Sequence, residues 1–294
     1  MAGPLGSLAL SAIMAVPGLT GSSGARAEAQ PPVRIVSLNL CTDLLLVHLV
    51  ARERIAALSI LAADPSVSAI AARTAGLALV RGEAEAVLAK DPDLIVTSAY
   101  ASPATVAILR RLGRRVVTLP LAGSFEGIRD SIRTLAAAVG EPERGAEMIA
   151  SFDERLALLK TGDDHRPTAV AVEIGSLVAT SGSLLDEAMR WVGFANGTAS
   201  RRLGPGNRLP LEVLVADPPD LIVLANNAQE FRTAAADNLR HPALKALLQR
   251  QHHVVLPLPA WLCGSPHVLA SVAQLAAARR GLMAKRPRDG GAPP

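Results

Sequence analysis

The sequence predicts an α/β protein of two similar lobes, each on a parallel sheet, with a helical segment between them. Three observations carry this. Apolar strand-like runs alternate with helical runs, the pattern of βαβ units and hence of a parallel sheet. In the middle of the chain the alternation stops, and two helical stretches follow one another from Ser124 to Lys160 with no strand between them. Lastly, one block occurs twice. Glu85-Ala86-Val87-Leu88-Ala89-Lys90-Asp91-Pro92-Asp93-Leu94-Ile95-Val96 aligns with Glu212-Val213-Leu214-Val215-Ala216-Asp217-Pro218-Pro219-Asp220-Leu221-Ile222-Val223. The offset is 127 residues throughout (Glu85 to Glu212, Pro92 to Pro219, Val96 to Val223), and seven of the twelve positions are identical. A repeated helix–turn–strand unit implies two related halves. Two unrelated units in one sheet would leave the shared Glu unexplained.

In chain order, Val33 to Leu38 follows a Pro-rich join and reads as a strand. Asn39-Leu40-Cys41-Thr42-Asp43 turns into a helix to about Ala51, and Arg54 to Ser59 is a second strand. Glu83 to Lys90 is a short helix. Asp93 to Thr97 is a strand of the continuous apolar kind expected when both sheet faces are covered. Ala104 to Leu112 is a helix and Arg115 to Leu119 a strand. Ser124 is placed to cap the helix that Gly140 stops, and Pro142 opens the next helix, to about Lys160. After a polar loop, Thr168 to Glu173 is a strand, then Leu184 to Val192 and Leu211 to Ala216 are helices. Asp220 to Leu224 is a strand, Pro242 to Arg250 a helix, His253 to Leu256 a strand, and Ser265 to Leu282 the closing helix. The expected segments are 1–27, 33–139, 140–162 as the bridge, 167–282, and a disordered tail, 283–294.

Composition excludes several functions. Of the 294 residues 50% are apolar, enough for a large core, and only 2% are aromatic. Too few rings remain for stacked-base binding or for a sugar site built on aromatic platforms. The formal net charge is +4, and all of it sits in the last 16 residues. A nucleic-acid binder would carry it on a folded face, so no nucleic-acid partner is expected.

Leu5 to Leu19 is apolar and uncharged, and Ala25-Arg26-Ala27 has the A-x-A form of a cleavage site. The n-region lacks Lys and Arg, but Pro17, Gly18, Gly21 and Gly24 would break a folded helix. We read residues 1–27 as a signal peptide cleaved after Ala27, which implies export. No lipobox Cys follows. In an oxidising compartment Cys41 and Cys263 either pair or remain thiols; both readings stay open.

The motifs argue against catalysis. G-x-S-x-G, H-E-x-x-H and a P-loop are all absent from the sequence. Asp43 and Glu173 are the one acid pair worth naming, and nothing in the sequence brings them together. An exported α/β enzyme acting on a small polar substrate is the alternative to a binder. A metal site is not expected. His252 and His253 point to opposite faces of a strand, and Cys263 and His267 lack further ligands nearby.

The chain resembles the cluster-A (class III) periplasmic substrate-binding proteins of ABC importers, which serve cobalamin, ferric siderophores and haem. The matching stretches are Arg34 to Leu38, Ala89 to Val96, Pro210-Leu211-Glu212 leading into Asp217 to Val223, and Trp261-Leu262-Cys263-Gly264. The resemblance covers roughly residues 33 to 282. It implies two Rossmann-like lobes bridged by one long α-helix, a ligand held between them, no resident cofactor, and a monomer that meets an ABC permease dimer of the inner membrane. The expected ligand is an iron-siderophore or a cobalamin-type molecule. Haem-binding members look to a Tyr in the loop before the first short helix, and Gly76 to Gly82 has none.

Ligands of open parallel sheets sit at the carboxyl ends of the strands. Those ends offer Asn39, Cys41, Thr42, Ser98, Ser176, Asn226 and Cys263 as hydrogen-bonding or contact groups, and Tyr100 and Trp261 as amphipathic faces. The resemblance places Arg81 in a loop facing the cleft. It also implies that Glu85 and Glu212, matched in the repeat, dock onto permease arginines. The bland reading of these two is a carboxylate at a helix start, favoured by the dipole.

Overall fold

The structure, a computed structural model, describes residues 30–161, 165–225 and 236–285, with Met1 and Gly3. Apart from those two residues, the expected leader lies outside the described residues, as do most of the expected tail and Asn226.

The first sheet holds β1 (Ile35–Ser37), β2 (Ile55–Ser59), β3 (Leu79–Val80), β4 (Leu94–Ser98) and β5 (Val116–Leu119) in the order β3-β2-β1-β4-β5. Its connections carry α1 (Leu40–Leu49), α2 (Ala84–Leu88) and α3 (Pro103–Arg111). Then come α4 (Phe125–Val139) and α5 (Pro142–Ala157). The second sheet holds β6 (Thr168–Val172), β7 (Ala195–Asn196), β8 (Leu221–Leu224) and β9 (His253–Val255) in the order β7-β6-β8-β9. With it are α6 (Leu184–Trp191), α7 (Leu211–Ala216), α8 (Asp237–Arg240), α9 (Pro242–Arg250), α10 (Leu258–Trp261) and α11 (Val268–Lys285). The paired strands are parallel in both sheets. The protein is thus an α/β protein of two lobes.

In each sheet the chain leaves the first strand to one side and returns on the other. This makes a switch point between β1 and β4 and another between β6 and β8, where a crevice opens at the carboxyl ends. The central strands β1, β4 and β8 are buried along their whole length, which is why they read as unbroken apolar runs. Side chains alternate between faces. Ile35, Leu94 and Val96 enter a large core, while Val36 and Ile95 enter a smaller one against Val87 and Leu109.

The large core crosses the lobe boundary. It runs from Leu44 and Leu45 of α1 through Phe125 and Phe152 to Leu185, Leu221 and Val272. Helices α4 and α5 are its middle. Ser124 caps α4 by accepting from the Gly127 amide at 3.0 Å, and Gly140 ends the helix at φ 76°. Gly145 lets the two helices touch, since a Cβ there would fall 2.4 Å from that of Ala136. A core shared through packed helices opposes wide lobe movement.

The helical part of the expected bridge is α5, which is shorter than 140–162. The two-residue strands β3 and β7 were not expected, because two residues carry no readable periodicity.

Candidate functional site

A cavity of about 270 Å³ lies between the lobes at the strand ends. The first lobe lines it with Cys41 and Thr42 from the start of α1, Ser98 at the end of β4 and Tyr100 just after it, and Leu121 to Gly123 after β5. The second supplies Glu173 after β6, Ser183 before α6, and Trp261 to Gly264 around the end of α10. Around it Tyr100, Leu121 and Leu262 are exposed, Tyr100 by 68%. Large apolar side chains held open around a concave site mark a binding surface.

Several contacts fix the floor. Cys41 and Cys263 form a disulfide with Cα atoms 5.2 Å apart, joining the first turn of α1 to the loop before α11. Next to it, Gly264 presses on the first lobe, where an added Cβ would meet the Ala122 carbonyl oxygen at 2.3 Å. Only glycine allows that approach. Across the same seam, Glu187 of α6 accepts from the Phe125 amide at 2.7 Å, adding to the cap of α4. Thr42 is fully buried. Its hydroxyl donates to the Asn39 carbonyl at 2.8 Å and lies 2.7 Å from that of Ser37. The Ser98 hydroxyl accepts from the Tyr100 amide at 3.4 Å. The indole N–H of Trp261 is buried without a hydrogen-bond partner among the described residues, a state that native interiors rarely tolerate.

Of the residues singled out in the sequence, the cleft gathers Cys41, Thr42, Ser98, Tyr100, Trp261 and Cys263. Three others do not line it. The Asn39 side chain is spent as the N-cap of α1, accepting from the Cys41 amide at 2.9 Å. Arg81 is exposed to solvent. Ser176, at φ 60°, faces a separate small cavity with Leu209 and Asn238. Asn226 lies outside the described residues. Glu85 and Glu212 are exposed in the first turns of α2 and α7, outside the cleft lining.

The acid pair Asp43 and Glu173 is not assembled. Asp43 is fully buried behind the cleft wall, accepting from the Ser59 hydroxyl and, at 3.3 Å, from its amide. Burial pushes its carboxyl up to about 7. Glu173 is half-buried in the cleft, where burial raises its carboxyl above the usual range. It is the one charged residue among the described lining residues; no Arg, Lys or His joins it. In the sequence Glu173 stands at the carboxyl end of an apolar strand and figures only as half of that acid pair. Among the described residues no three His, Cys, Asp or Glu converge as a metal site.

The fold and cleft are those of a bilobal binding protein. The sequence profile of the periplasmic binding protein family matches residues 35–254, and the chain belongs to that family. No curated protein matches the sequence. Among solved structures, it is similar to the periplasmic haem-binding protein RhuT from Roseiflexus sp. RS-1, with 23% identity and a TM-score of 0.69, over 85% of this chain and 98% of that one. It is also similar to two Vibrio cholerae proteins. The vitamin B12-binding protein BtuF shares 21% identity at a TM-score of 0.64, over 87% of this chain and 99% of BtuF. The haem-binding protein HutB shares 19% at 0.66, over 87% and 99%.

Proposed function

We propose that this chain, exported by cleavage after Ala27, works as a monomer in the periplasm. It captures a corrinoid or an uncharged ferric chelate of the hydroxamate kind in the cleft. It then delivers the ligand to an ABC importer, with Glu85 and Glu212 as the docking contacts. The observation that carries the ligand class is the lining. Tyr100, Leu121, Trp261 and Leu262 offer apolar faces, Thr42, Ser98 and Ser183 are small polar neighbours, and Glu173 is the one charge. A ligand bearing several carboxylates would be desolvated there beside a carboxylate and without a described cation, which is costly. Amide or hydroxyl donors suit Glu173. A corrinoid is larger than the cavity, so part of it would lie over the exposed rim.

A second reading has one observation in its favour. Tyr100 presents a phenol to the cleft, and a Tyr is a known type of haem iron ligand. RhuT and HutB are haem-binding proteins.

Thermal melting with cyanocobalamin, ferrioxamine, ferric citrate and haemin tests both. A ligand at a hundredfold over its Kd should raise Tm by roughly 5 °C or more and should not be consumed. Stabilisation by haemin alone, with a Soret band changed by Tyr100→Phe, would favour the haem reading. If none of the four stabilises the protein, capture of a chelate or corrinoid is wrong.

A further inference from the structure

Beyond the wall of the cleft lies a second cavity of about 440 Å³, larger than the cleft's own. Leu45 of α1 lines the cleft, and its neighbour Leu44 lines this second space. Three elements build it. Helix α1 contributes His48, α5 contributes Arg144, Glu147, Ser151 and Arg155, and the turn into α11 contributes His267. Residues 144, 147, 151 and 155 recur at helical spacing, so they share one face of α5. The cavity therefore touches the first lobe, the bridge and the second lobe together.

Its charge is unbalanced. The imidazoles of His48 and His267 stand 5.7 Å apart between centroids, across the seam. The Arg73 guanidinium reaches over to His48 Nδ1 at 3.0 Å. Neither Arg144 nor Arg155 has an ion-pair partner among the described residues. Nearby Arg129 and Arg133 on α4 are paired, with Glu126, Asp130 and Asp153. Glu147 is the only carboxylate among the described lining residues. Burial and the facing cations hold both imidazoles below their ordinary range, Arg73, His267 and Arg144 acting on His48 and Arg73 and Arg155 on His267. An anion in the cavity would relieve that repulsion and offer acceptors to donors that lack them.

We propose that this seam cavity is a second binding site, which takes a compact polyanion bearing phosphate or carboxylate groups, gripped by Arg144 and Arg155 together with the His48–His267 pair. The occupant would contact both lobes and the bridge from a site separate from the cleft. It would therefore stiffen the seam without competing for the cleft.

The test is binding of pyrophosphate and of citrate to the mature protein, by calorimetry and by melting, with ionic strength held constant by sodium chloride. At least one should bind and raise Tm beyond the chloride control. Arg144→Gln and Arg155→Gln should each weaken it roughly tenfold, the usual loss for a charge-assisted bond. Both arginines are exposed, so these changes should leave the unliganded melt unmoved, and Arg144→Lys should restore part of the binding. Trp261→Ala in the cleft should leave it intact. Pyrophosphate alone would assign a phosphate ligand, and citrate alone a carboxylate. A stabilisation no larger than that of chloride, or one that survives the double Gln change or is lost in Trp261→Ala, would overturn the proposal.

Discussion

The two lobes repeat one block, but its shared carboxylates lead different lives. In the first lobe Asp93 accepts from the amides of Val33 at 2.7 Å and Arg34 at 3.1 Å, at the entry to β1. In the second, Asp220 accepts from the amide of Thr168 at 2.7 Å and from its hydroxyl at 3.0 Å, at the entry to β6. The same aspartate ties its own strand to the start of the neighbouring central strand in both halves. Glu85 and Glu212, equally matched, are exposed, and their carboxylates have no hydrogen-bond or ion-pair partner among the described residues. An identity with an internal partner is explained by the fold. An identity without one calls for a partner outside it.

The sharpest way to break the comparison is to unstaple the lobes. The Cys41–Cys263 bond closes a loop with a sequence separation of 222. In the chain-entropy account such a bond contributes up to about 5 kcal/mol, and native bonds typically about 2–5. The double change Cys41→Ser, Cys263→Ser should cost that much in the urea midpoint. Because the core is continuous from Leu44 to Val272, unfolding should remain a single transition. Two separated transitions would mean that the lobes are independent units and that the bond, not the core, joins them.

Next in size come the strand clamps. Asp93→Ala and Asp220→Ala each remove a carboxylate that accepts two bonds, and hydrogen bonds to charged groups contribute about 1.5–3 kcal/mol in folded proteins. Both carboxylates are exposed, so the lower end, ~1–2 kcal/mol each, is expected. The two losses should be alike. A large cost in one lobe and none in the other would show that the repeat is a likeness of sequence without a likeness of role.

The pH profile separates the first lobe from the seam. Asp43, its carboxyl pushed up from 3.8 to about 7 by burial, binds a proton in the native state that the unfolded chain gives up. Its contribution is full below pH 3.8 and is lost as pH rises through 7. His48, pushed down from 6.5 to about 4 by burial and then by Arg73, works the other way. Its contribution is present above pH 6.5 and is lost as pH falls through 4. Urea midpoints at pH 4, 6 and 8 should show Asp43→Asn removing the loss toward pH 8 and His48→Gln removing the loss toward pH 4. If the Asp43→Asn profile still falls toward pH 8 as the parent's does, Asp43 is ionised in the native state throughout.

The sequence discloses what local physics encodes. Leu94-Ile95-Val96 and Leu221-Ile222-Val223 announce buried central strands, and Ser124 and Gly140 announce the ends of α4. Tyr100, Trp261 and the cysteines were legible as cleft residues because they follow strand ends, where topology places ligands. Asn39 was misplaced for a physical reason. The side-chain oxygen that suits a ligand also suits an N-cap, and the local amide wins. Ser176 sits at a strand end too, but its left-handed backbone turns it away. The meeting of His48 with His267 was illegible, because it depends on how two lobes close on one another and no local pattern records that.

The last prediction expects almost no change in stability and a large one in transport. Glu85→Lys and Glu212→Lys alter exposed side chains in the first turns of α2 and α7, so each should shift stability by less than ~1 kcal/mol through the helix dipole. Neither lines the cleft, so ligand affinity should hold. If each lobe presents its glutamate to one half of a two-fold permease, either reversal replaces an attraction with a repulsion at the docking face. That slows encounter and disfavours the bound orientation. Uptake into vesicles carrying the cognate importer should fall for each single change and fall further for the double. Unchanged uptake would reduce both residues to helix-start carboxylates, and the matched pair would then be an inheritance of the repeat with no outward partner. A drop in ligand affinity of the isolated protein would instead tie them to the cleft, against their placement.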